Sequence, residues 1–159
     1  MSERIDMLKF LAENSFARCN RAFQDLTEKE IEWRPVPESN NIRWILTHLS
    51  VEWNVGLPRM IKGDAKYKPT GWPDDYDKIS HPLPKLLSDL ETGKAIVLTG
   101  IELLKPADLD TNIDLGRGPR KRIEMLTTYL LEAVQHSGQV TMLKGNIKRR
   151  REKEPNFLK

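Results

Sequence analysis

Along four long stretches of the chain, apolar residues recur at alternating steps of three and four, the spacing that lines one face of a helix packed in a bundle. The first stretch runs roughly from Ser2 to Asp25, with Ile5, Leu8, Ala12, Ser15, Cys19, Ala22 and Leu26 on its seam and Ser2 before Glu3 as its start. A second begins at an N-cap on Ser39 or Asn40 and passes through Ile42, Ile45, Leu49, Trp53 and Gly56 to Lys62, where Gly63 stops it. Pro58 is expected to kink it, because proline lacks the donor a helix needs. The third covers Leu83 to Leu104, with Leu83, Leu87, Leu90, Val97, Ile101 and Leu104 as its stripe, and its Gly93 and Gly100 weaken the helix while permitting close packing. The fourth starts near Arg120 and carries Leu126, Tyr129, Ala133, His136, Val140 and Leu143.

Between these helices the punctuation is clear. Pro35 and Pro37 break the segment Leu26–Asn41, inside which Thr27 and Glu30 have the spacing of a capping box and predict one helical turn. Five proline and glycine residues between Asp64 and Pro84 predict a long loop of the kind that carries function. After Pro106, weak alternation up to the turn Gly116-Arg117-Gly118-Pro119 predicts a short hairpin or extended loop. Four amphipathic helices with long crossovers predict an all-α four-helix bundle, in up-down-down-up or a related order.

At 159 residues the chain has the length of one core, which is expected to span residues 1–145. No run approaches the roughly 18 apolar residues of a membrane span, and the amphipathic start lacks a secretory segment, so the cytoplasm is the expected compartment. A single cysteine, Cys19, excludes an internal disulfide and any paired-cysteine zinc site; on the seam of the first helix it reads as a small buried hydrophobe rather than a nucleophile. The net charge of +3 is unevenly placed: from Lys144 onward seven basic residues face two acidic ones, leaving 19 basic and 21 acidic residues before it. The segment 146–159 is therefore a short basic tail, read as a solvated helix end that complements the helix dipole. Nucleic acid is not the expected partner of a body that is net acidic.

Chemistry concentrates on two of the three histidines. His48 lies on the second helix, with Glu52 four residues on; Glu132 and His136 are also four apart and share a face of the fourth. Two imidazoles and a carboxylate suit a divalent transition metal, but the same residues also suit buried histidines hydrogen-bonded to Glu52 and Glu132 with no ion. His81, before Pro82, reads as a loop or cap residue. Trp33, Trp44, Trp53 and Trp72 read as core and loop packing. Gln139 could stand near an ion, whereas Gly138 is explained by close packing.

Three segments carry a resemblance. Leu26 to Pro35 followed by Pro37, then Asn41 to Leu49 with its histidine, and His136-Ser137-Gly138-Gln139-Val140 resemble the first crossover, second helix and fourth-helix signature of the DinB and YfiT-like four-helix-bundle proteins. That family's metal triad is usually three histidines, so the resemblance implies a site of His48, Glu132 and His136. Glu132 stands where an imidazole is commoner, and Glu52 is a fourth or supporting group. The resemblance further implies a zinc, nickel, manganese or iron ion, a homodimer, and a metal-dependent enzyme of small-molecule thiol-transferase or hydrolase type. Glu52 would be its general base and a low-molecular-weight thiol one substrate. The alternative is a non-catalytic bundle with a degenerate metal site that binds a partner.

Overall fold

The computed structural model describes residues 2–158; Met1 and Lys159, the outer ends of the two expected segments, lie outside them. Helix α1 (Glu3–Phe23) buries Ile5, Leu8, Ala12, Ser15, Cys19 and Ala22, the expected seam, together with Phe16 and Phe23. It ends at Phe23 because Gln24 is extended and Asp25 adopts a positive φ of 58°. The short helix α2 (Glu28–Glu32) is built on the capping box: Glu30 N–H donates to Thr27 Oγ1, and Thr27 N–H donates to the Glu30 carboxylate.

Helix α3 (Ile42–Val51) is capped one or two residues later than the sequence predicts, by Asn41, whose side-chain oxygen accepts from Trp44 N–H at 2.9 Å. Pro58 does not interrupt the second long helix. Instead, residues Glu52–Gly56 form a π-helical turn in which Leu57 N–H reaches Glu52 O, and helix α4 (Leu57–Lys62) follows with Pro58 in its first turn. A proline early in a helix needs no donor, so the extra residue accommodates it without a break. Gly63, at φ 67°, is the stop, as expected.

Helix α5 (Leu83–Glu102) buries Leu83, Leu86, Leu90, Gly93, Val97 and Ile101. Leu86 rather than Leu87 fills the expected position, because a run of paired leucines leaves the phase of the stripe open. The hairpin is real: strands β1 (Asn112–Asp114) and β2 (Pro119–Lys121) pair antiparallel with Ile113 opposite Arg120. Those strand residues delay helix α6 to Arg122–Lys153, where it buries Leu126, Ala133, His136, Val140 and Leu143 but only half-buries Tyr129.

Contacts along the helices give their directions. Cys19 meets the Ala133 carbonyl and Lys144 donates to the carbonyls of Ala22 and Gln24, so α1 and α6 run parallel. Asn54 bonds the Asp89 carbonyl, and Gly100 faces Ile61 farther along, so α3–α4 and α5 are parallel too. His48 meets Glu132 while Arg122 donates to the Met60 carbonyl, which makes α3–α4 and α6 antiparallel. The order is up-down-down-up, and the crossover through α2 links two diagonal helices. No helix among the described residues is long and apolar enough to cross a membrane.

The basic residues after Asn146 continue α6 for two more turns. Arg151 then pairs with Glu30 at 2.7 Å and donates to the carbonyls of Phe157 and Leu158, while Phe157 packs edge-on against Trp33.

Gly93 and Gly138 play opposite parts. A Cβ on Gly93 would lie 2.7 Å from Trp53 Cβ and 3.0 Å from the Trp53 carbonyl carbon, so α5 touches the π-turn backbone there. Nothing lies within 4 Å of a Cβ on Gly138, which corrects its reading as a close-packing glycine. Gly93→Ala is therefore expected to lower unfolding stability by about 1–3 kcal/mol. Gly138→Ala should stay equal or gain up to about 1 kcal/mol from helix propensity. Urea titration of the two variants checks the contrast.

Candidate metal centre

The site lies where α3 and α6 cross. His48 Nε2–H donates to Glu132 Oε1 at 3.3 Å, and His136 Nε2 stands 3.7 Å from the same oxygen. One ligand atom from each of His48, Glu132 and His136 falls within 4.8 Å of the others, the cluster among the described residues with the donors to hold an ion. A tetrahedral ion with ligands at about 2.0–2.2 Å sets its donors about 3.3–3.6 Å apart; the His48–Glu132 separation of 3.3 Å falls in that range and the His136–Glu132 separation of 3.7 Å lies just above it. Two nitrogens and one oxygen on two rigid helices fit a divalent transition ion.

The three groups differ in setting. His136 is buried and His48 partly buried, while Glu132 reaches solvent with about a third of its side chain exposed. Burial pushes the His48 pKa down, with the neighbouring His136 adding to the effect and Glu132 opposing it. Burial and His136 thus favour the neutral imidazole that a metal requires. The Trp44 ring stacks on His48 at 5.2 Å between centroids and meets His136 edge-on at 6.0 Å. Trp44 is thus a half-exposed cover for the site rather than core packing. Trp53 is the core tryptophan, packed against Phe16.

Glu52 stands outside the cluster, and His48 pairs with Glu132 instead of Glu52, contrary to the ion-free arrangement considered from sequence. On the π-turn its Oε2 is buried without a hydrogen-bond donor, and a Cβ on Gly56 would sit 2.9 Å from that atom. Burial, and after it the charge of Glu132, push the Glu52 pKa up to about 8 against the pull of Arg59. Burial and the same two carboxylates also raise the Tyr129 phenol, one turn before Glu132.

His48 opens onto a cleft of about 620 Å³ between the first crossover, α3 and the loop after α4, lined among others by Arg34, Arg43, Trp44, Trp72 and Lys78. Its far wall is a stack: Trp72 on Tyr76 at 4.3 Å and Tyr76 on His81 at 4.0 Å. His81 Nε2–H donates to the Tyr76 carbonyl, and Tyr76 Oη–H donates to Asp89. His81 is therefore a buried pillar of the loop. Arg43 ties that wall to α2, pairing with Glu28 and Glu32 and donating to the His81 carbonyl. Cys19 is buried, with its thiol pushed up to about 12 by burial, and takes no nucleophilic part.

Sequence reasoning passed over Trp44 and Tyr129 as site groups and left Gln139 undecided. Their signal is helical spacing: Trp44 lies four before His48, Tyr129 three before Glu132 and Gln139 three after His136.

The family model described as the DinB superfamily matches residues 12–140. The fold is similar to that of the conserved protein of locus from Enterococcus faecalis, whose crystal structure has a TM-score of 0.68, covering 90% of this chain and 96% of that chain at 17% sequence identity. Comparison with curated proteins gives no match.

Glu52 makes stability depend on pH. The unfolded carboxyl ionises near 4.5 and the folded one near 8, so between these values the folded chain holds a proton the unfolded chain has lost, and stability falls as pH rises. In ion-free protein, Glu52→Gln should match the wild type at pH 4.5 and exceed it by up to roughly 4–5 kcal/mol at pH 9. Urea titrations at both pH values, with chelator present, read the gap; a gap independent of pH would mean that the carboxyl is solvated.

Proposed function

The chain belongs to the DinB superfamily, and we propose that it is a metal-dependent enzyme acting on a small molecule bound in the cleft beside His48. The observation that carries this reading is the triad of donors gathered within 4.8 Å of one another at the edge of that cleft. His48, Glu132 and His136 would hold a zinc, nickel, manganese or iron ion, and the carboxylate oxygen of Glu132 tilts the preference toward manganese or iron. Such an ion lowers the pKa of a water or thiol bound to it and so provides a nucleophile at neutral pH.

The remaining roles belong to the chain. Trp44 shields one face of the site from water. Glu52 is the group that takes or returns a proton, because its Oε2 has no competing donor in the fold. Its raised pKa comes partly from Glu132, and a cation beside Glu132 would offset that charge and return Glu52 toward the ionised form a general base needs. The cleft suits transfer of a low-molecular-weight thiol or hydrolysis of a small substrate. The hydrogen bond between His48 and Glu132 favours a second reading, a degenerate site that is satisfied without an ion.

Metal analysis separates the two. After dialysis and reloading with zinc, nickel, manganese or iron, about one ion per chain is expected in the wild type, with none in the His48→Ala, His136→Ala double variant. No uptake of any of the four would favour the degenerate site.

For the homodimer, the supporting feature is one stripe of α6 in which Leu131 and Met142 are exposed on either side of the open backbone at Gly138. A second copy pairing on this stripe would cover all three about a two-fold axis. Leu131→Glu with Met142→Glu should convert a dimer to a monomer in sedimentation, while a wild type that sediments as a monomer would dispose of the pairing.

A further inference from the structure

His136 and His48 present different nitrogens to different partners. His136 Nδ1 lies 2.7 Å from Gln139 Oε1, a short hydrogen bond between residues three apart on α6, and its Nε2 faces Glu132 at 3.7 Å, beyond hydrogen-bond distance. An amide oxygen only accepts, so this contact requires the proton on Nδ1 and leaves the Nε2 lone pair turned toward the other donors. His48 has the reverse arrangement. Its Nε2 is the hydrogen-bonding atom, toward Glu132, and its ring plane is set by stacking on Trp44.

We infer that Gln139 is a positioning residue, whose side-chain oxygen holds His136 in the Nδ1–H tautomer so that Nε2 is ready as a ligand before any ion arrives. This rests on the metal reading above. Its physical content is that His136 needs no proton movement on binding, whereas the proton on His48 Nε2 must leave that atom. A hydrogen bond to the far nitrogen also makes the ligating nitrogen more basic, and losing such a partner generally costs 10–100-fold in metal affinity, about 1.4–2.7 kcal/mol.

Two variants and two readouts test the inference. Gln139→Leu removes the acceptor, and Gln139→Glu restores one. Nitrogen chemical shifts of the imidazoles in ion-free wild type should report Nδ1–H for His136, and Gln139→Leu should shift it toward the other tautomer. Zinc titration should then show affinity roughly 10–100-fold weaker in Gln139→Leu and regained in Gln139→Glu. Thermal unfolding of each variant identifies one that has simply lost its fold, in which case the wild-type tautomer decides. An Nε2–H tautomer in the ion-free wild type overturns the inference, as does a folded Gln139→Leu that binds zinc as tightly as the wild type. A wild type that takes up none of zinc, nickel, manganese or iron but shows His136 as Nδ1–H would strike down the metal reading and leave the hold of Gln139 standing.

Discussion

The π-turn at Glu52–Gly56 is the constraint on which the bundle's middle depends. Pro58 cannot donate to the carbonyl four residues earlier, and its ring crowds that carbonyl. By inserting one extra residue, the helix satisfies Leu57 N–H on Glu52 O and continues through the proline. The widened turn sets Trp53 and Asn54 against α5, where Gly93 alone leaves room, and Asn54 binds the carbonyls of Ser50 and Asp89 across the junction. On its other side, Glu52 and Gly56 are presented to Tyr129 of α6. One local irregularity thus fixes how closely α5 approaches and where a buried carboxyl sits relative to the site.

Much of the fold is legible in the chain because apolar spacing, caps and breakers are local. The seam of α1, the capping box at Thr27 and Glu30 and the αL stop at Gly63 all appear as expected. The π-turn was not legible: a single added residue hardly disturbs a stripe, and Gly56 with Pro58 reads equally well as a kink. Leu86 replaced Leu87 for a related reason, since consecutive leucines satisfy two phases and only the neighbouring helix chooses between them. Whether Gly93 or Gly138 meets another backbone is likewise a matter of which face points inward, and that is decided between helices.

The site divides along the same line. His48, Glu132 and His136 were accessible from spacing on one helix and a resemblance covering another, and the fold brings all three together. What spacing could not supply was the pairing across helices. Glu52 is the carboxylate one turn from His48 in sequence, yet His48 bonds Glu132, eighty-four residues away. Trp44, assigned to the interior by its size, lies over the imidazoles because α3 turns that face toward α6. Size predicts burial on average, and the exceptions are found where a ring has a polar partner to cover.

Glu132 sets the charge balance of the whole cluster. It supports a proton on His48, which burial and His136 resist, and it repels the charge on Glu52, which burial already disfavours. In the ion-free protein these demands conflict: burial and His136 favour neutral His48 over the charged partner Glu132 would take, while Glu52 keeps a proton it would otherwise release. A divalent cation among the three donors would relieve the conflict, because it would attract Glu132, take neutral imidazoles as ligands and favour the ionised form of Glu52. A histidine in place of Glu132 would remove that repulsion, so Glu52 would start nearer its ordinary ionisation, held up by burial alone. The carboxylate in the cluster therefore ties the ionisation of Glu52 to the charge of a neighbouring helix, second only to burial, and that link follows from one oxygen donor standing where a nitrogen is commoner.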